Sequence, residues 1–100
     1  MTTTAASIAI TIQQQIGRMT LMCVGAHKMV ALPETDKVLG GLQFKIARNP
    51  NMKQGGWVTV YLDPSDTYTV KIQDARGNIR LEVSDVYCDN LSGVIQGVTG

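Results

Sequence analysis

The stretch Trp57–Val83, WVTVYLDPSDTYTVKIQDARGNIRLEV, decides the fold. Val58, Val60 and Leu62 alternate with Trp57, Thr59 and Tyr61. Tyr68, Val70 and Ile72 alternate with Thr67, Thr69 and Lys71, and Ile79, Leu81 and Val83 with Arg80 and Glu82. A period of two over such runs marks strands with one buried face and one open face. Asp63-Pro64-Ser65-Asp66 and Asp74-Ala75-Arg76-Gly77 supply the turn residues between them, with Pro64 preset at the second turn position. Parity adds a register. Residues directly paired across strands point the same way, so Leu62 and Tyr68 share the core face only if they oppose each other, which makes Asp63–Thr67 the loop or else requires a bulge. In the second hairpin the same reasoning pairs Gln73 with Asn78 and leaves Gly77 for the left-handed turn position.

Working outward, Leu42, Phe44 and Ile46 alternate with Gln43, Lys45 and Ala47 as a further half-buried strand. Asn49-Pro50-Asn51 and Gly55-Gly56 bracket a flexible loop. Arg18–Ala26 reads as a strand that is apolar on both faces. His27–Gly41 reads as a long loop holding a short strand at Met29–Leu32. At the N-terminus, Ile8, Ile12 and Ile16 at i, i+4 and i+8 predict a helix over Ala5–Ile16, capped by Thr3 or Thr4 and stopped by Gly17. At the other end, Tyr87, Leu91, Val94, Ile95 and Val98 form the apolar face of a last helix. Ser84 would be its N-cap, Asp85 would complement its dipole, and Val83 and Cys88 would staple its start. Gly93 and Gly97 inside that helix either weaken it or mark close packing onto the sheet. The sum is a single α+β domain over residues 1–100: helix, antiparallel meander of four to five strands, C-terminal helix, with the helices on one sheet face.

Composition narrows the function. One hundred residues with 44% hydrophobic and 17% charged side chains make one modest core, and exclude a disordered tail, a collagen-like repeat and a coiled coil. No apolar run approaches the roughly 20 residues that cross a bilayer, and nothing basic precedes the first apolar run as a secretory signal requires. The expectation is therefore an intracellular chain whose Cys23 and Cys88 are free thiols acting as small hydrophobes. With one histidine and two cysteines, no phosphate-binding loop, dinucleotide fingerprint or nucleophile elbow, the sequence predicts no enzyme, metal or cofactor. A His27 dyad with either cysteine would take Cys23 off its apolar face. Asp85 and Asp89, four apart on the last helix, serve the helix start better than a cation.

The open sheet face is the feature above background. The predicted pairings place Thr59, Lys71 and Arg80 in one cross-strand row and Tyr61, Thr69 and Glu82 in the next, with Trp57 and Lys45 on the same surface. A like-charged row beside exposed aromatics suits an anion or, with stacking, single-stranded nucleic acid. The plainer reading is a solvated face on which Glu82 reaches diagonally to Lys71. The candidate binding residues are Lys45, Trp57, Tyr61, Lys71 and Arg80. The net charge of +1 also hides a split. Residues 1–57 hold six basic and two acidic residues, and residues 58–100 hold three and six. A dipolar surface serves protein partners or self-association as readily as nucleic acid.

The strand GLQFKIARN (Gly41–Asn49), the hairpin VTVYLDPSDTYTVKI (Val58–Ile72), the tail SDVYCDNLSGVIQGVTG (Ser84–Gly100) and QQIG at Gln14–Gly17 resemble a family of short phage and prophage proteins. The Asp63–Val70 segment is the most specific part. In that family the place of Cys88 often holds a small residue such as alanine, which further discounts a thiol role. The resemblance implies an origin and carries no activity or cofactor. Together these readings predict a small non-enzymatic phage protein of the host bacterial cytoplasm. It would bind a host or phage protein, as an inhibitor of a host or defence factor for example, without membrane association and with homo-oligomerisation open. Two alternatives stand beside it, a single-stranded nucleic-acid-binding accessory protein of replication or recombination, and a minor virion structural component.

Overall fold

Ile8, Ile12 and Ile16 do fall on one buried stripe of a helix, α1 (Ala5–Ile16). The computed structural model describes residues 5–48, 54–65, 67–87 and 89–99. The predicted caps at Thr3 and Thr4 lie outside them, as do Asn49–Asn51 of the predicted flexible loop, Asp66 of the first turn and Cys88 of the staple. Gly17 ends α1 as expected, at φ 93°.

Past Gly17 the chain does not form the predicted strand. Gly17 N–H still donates to Gln13 O, and Leu21 N–H donates to Gly17 O, so the helical path resumes one residue later as α2 (Arg18–Cys23). Met19, Leu21 and Met22 are good helix formers. The apolar character on both sides does not reflect burial on both sides, because Met19, Met22 and Cys23 are exposed and only Thr20 and Val24 are buried. Cys23 is thus a surface thiol and not the core hydrophobe expected of it.

The next five elements form one antiparallel meander in the order β1-β2-β3-β4-β5: β1 (His27–Leu32), β2 (Gly40–Ile46), β3 (Gly56–Leu62), β4 (Tyr68–Asp74) and β5 (Ile79–Val86). The strand expected at Met29–Leu32 therefore begins at His27, with an irregularity between His27 and Val30 where Lys28 takes φ 53°. Leu62 opposes Tyr68 as parity required, and Asp63 N–H closes the loop onto Thr67 O at 2.9 Å. Leu42, Phe44, Val58, Val60, Val70 and Ile72 form the buried centre, joined by Ile12, Ile16, Leu91 and Ile95. Burying each such side chain stabilises the fold by about 1.5–3 kcal/mol before entropy is counted.

The β4–β5 register departs from expectation. Gln73 faces Ile79, not Asn78, and Lys71 faces Glu82, not Arg80. The turn is the cause. Asp74 N–H donates to Asn78 O, and the Asp74 carboxylate accepts the backbone N–H of Arg76 and of Asn78. Asp74 and Asn78 thus close the turn, Gly77 takes φ 88°, and an extra residue, Arg80, is absorbed at a bulge before Leu81 meets Ile72.

The last helix also starts later than predicted. Ser84 and Asp85 belong to β5, Asp85 sits at φ 57° in a second β5 irregularity, and α3 runs Leu91–Thr99. Asp85 and Asp89 therefore share no helix, and Val83 is a strand residue rather than half of a staple. Leu91 and Ile95 are buried, while Gly93 and Gly97 are exposed and a Cβ at either would meet nothing within 4 Å. The close-packing reading of these glycines is thereby excluded. The helix α3 is tied to α2 through Thr20, whose hydroxyl donates to Ser92 Oγ at 3.2 Å and accepts Gln96 Nε2 at 3.0 Å.

Candidate nucleic-acid and partner-binding surfaces

The side chains opposite the helices form cross-strand rows set by the register. One row reads His27, Lys45, Trp57, Gln73, Ile79, and the next reads Val30, Gln43, Thr59, Lys71, Glu82. The candidate residues Lys45, Trp57 and Lys71 do share this face, and Tyr61 lies half-buried beyond Thr59 on β3, opposite Gly41 and Thr69. The Lys71–Arg80 row does not exist. Arg80 is displaced to the bulge and Lys71 stands opposite a carboxylate, so the expected anion row is replaced by two positions of opposite sign. Thr59 is buried within the face, accepting Gln43 Nε2 at 3.1 Å.

Lys45 and Trp57 are the pair of candidates brought into contact. Directly opposed on β2 and β3, they place Lys45 Nζ 4.8 Å from the centre of the indole. Beside them opens a cleft of about 280 Å3 lined by His27, Lys45, Arg48, Gln54 and Trp57. His27 is fixed by Nδ1 lying 2.8 Å from Gly25 O, and Gly25 itself is pressed against Ala47.

The meander also sorts charge. At the end of the sheet where β1, β3 and β5 begin and β2 and β4 finish, the described residues Arg18, Lys28, Lys45, Arg48, Arg76 and Arg80 face one acid, Asp74. At the other end Glu34, Asp36, Asp63, Asp85 and Asp89 face one base, Lys37. Lys71 and Glu82 oppose each other between them. The split by sequence halves thus resolves into a basic and an acidic end. At the basic end, partial desolvation tends to raise the Asp74 carboxyl. Hydrogen bonds from the backbone of Asn78 and Arg76 and from the Asn78 side chain, with Arg80 nearby, outweigh it and hold the group below its ordinary value.

A second surface has no counterpart in the sequence reading. The edge strand β1 is exposed over five of its six residues, and Met29, Val30 and Ala31 among them are apolar. Next to it α2 holds Met19 and Met22 at 74% and 70% exposure, and a shallow hollow joins Arg18, Leu21 and Met22 to Gly25, Ala26 and Met29. The signal available in the sequence was the cluster of three methionines at positions 19, 22 and 29, which the two-faced strand assignment hid.

Among the described residues no three His, Cys, Asp or Glu side chains converge as a metal site, and no helix is long and apolar enough to cross a membrane. The chain matches no family model, no curated protein and no solved structure.

Proposed function

We propose that this chain is a small phage-encoded binding protein, non-catalytic and working in the host cytoplasm, that docks a strand of a host or phage protein onto β1. The difference between the two sheet edges carries the reading. β5 carries Arg80, Glu82 and Asp85 and is broken by two irregularities, the devices that keep edges from pairing. β1 ends the sheet on the other side with an apolar Met29–Leu32 run, one irregularity, and flanking methionines whose flexible thioethers adapt to varied contours. A row of unpaired backbone groups beside such a surface fits strand addition, with the backbone giving affinity and the side chains selectivity. An inhibitor of a host defence factor is one activity this mode supports.

The test compares wild type with Val30→Lys and Met22→Lys. Both positions are exposed, so both variants should keep their melting temperature. Wild type is expected to capture one host or phage protein stoichiometrically from infected cells, and both variants to lose it. If no protein is captured, or both variants retain it, docking on β1 is refuted.

A further inference from the structure

A different surface, the basic end, supports a second activity. We propose that the cleft lined by His27, Lys45, Arg48 and Trp57 binds single-stranded nucleic acid, with Lys45 and Arg48 on phosphate and the indole against a base. Three observations converge there. The described charges are six to one in favour of cations at this end. The tryptophan is the sole one in the chain and is half-exposed in the cleft. Lys45 already lies over its ring, so the site combines cation and aromatic surface within one side-chain length.

The shape selects the ligand. A hollow of about 280 Å3 is at the small end of ligand pockets and admits one nucleotide unit at a time. A duplex keeps its bases stacked inside and cannot offer one to Trp57, whereas a single strand can. The acidic end limits the footprint. A strand laid along the β-strand axis would run from Arg48 and Lys45 past Glu82 toward Asp63 and Glu34, so it must cross the basic end instead. Contacts are therefore few. Two phosphates neutralised on a single strand, by Lys45 and Arg48, give a log–log salt slope of about −1.4, shallow for a nucleic-acid binder.

The experiment tracks a labelled oligothymidylate by anisotropy and Trp57 by its own emission. At low salt the expected result is saturable binding with quenched emission and that shallow slope. Arg48→Glu, at an exposed position, should weaken binding roughly tenfold, Lys45→Glu with Arg48→Glu should abolish it, and Lys37→Glu at the acidic end should leave it unchanged. Duplex of the same length should bind more weakly. Absence of an anisotropy change at low salt overturns the proposal. So does equal binding of heparin and oligothymidylate without quenching, which would show adsorption of any polyanion. An equal loss in Lys37→Glu also overturns it. Because β1 docking is read in Val30→Lys and Met22→Lys, the two surfaces can fail separately.

Discussion

Lys71 on β4 stands opposite Glu82 on β5, and Arg80, its partner under simple alternation, is set aside on a bulge. The extra residue turns a like-charged confrontation into an opposed one. Glu82→Lys is therefore expected to destabilise the protein by a few tenths to about 1 kcal/mol at low salt, and less as ionic strength rises. Denaturant unfolding at two salt concentrations measures the loss, and a loss that did not shrink with salt would contradict a Lys71–Glu82 charge pairing.

Two glycines should respond in opposite directions to alanine. Gly25 sits at φ 66° with a would-be Cβ 2.5 Å from Ala47 Cβ, at the point where Ala47 N–H donates to Val24 O. Gly25→Ala should cost about 2 kcal/mol or more, from left-handed strain plus displacement of β2. Gly93 occupies open space inside α3, and Gly93→Ala should stabilise by up to about 1 kcal/mol. Thermal melts should show Gly25→Ala lower by on the order of 10 °C and Gly93→Ala higher by several degrees.

Thr20 is buried and links α2 to two side chains of α3, Ser92 and Gln96. Thr20→Val keeps its shape and removes both hydrogen bonds. The expected cost is about 1–2 kcal/mol, with a matching rise in amide exchange confined to α2 and α3.

The turn at Asp74 gives a pH dependence. Its carboxyl titrates lower in the folded chain than in the unfolded one, so the unfolded state binds the proton more readily. The stability it contributes is complete above the ordinary carboxylate value and fades as pH falls toward the folded value. Asp74→Asn should accordingly lower stability near neutrality and converge on wild type in acid. Urea midpoints measured from neutral to acidic pH test the sign, and a gap that widened in acid would contradict it.

Where side-chain period alone sets structure, the sequence was readable. Val58, Val60, Val70 and Ile72 alternate cleanly, and the Leu62–Tyr68 pairing came from parity. Elsewhere a competing interaction prevailed. Arg18–Cys23 is a helix because the hydrogen-bonded path of α1 resumes through Gly17 with good helix formers, and its apolar side chains stay largely exposed. Ser84 and Asp85 have good capping chemistry, yet they extend β5, because Val86 pairs with Tyr68 and lies buried. The bulge at Arg80 arises from hydrogen bonds to the Asp74 side chain, which hydrophobic period cannot register. Of the candidate site, the shared face of Lys45 and Trp57 was legible from alternation, whereas their direct opposition needed the β2–β3 register. The sorting of charge to two ends was not, because it requires knowing at which end each turn falls.

That sorting makes net charge a poor guide to how the molecule behaves among charged surfaces. At its pI of about 7.8 an evenly mixed surface would pass through ion exchangers of either sign. This chain should be retarded on both a cation and an anion exchanger in dilute buffer, each resin holding it by the opposite end, and released from both by modest salt.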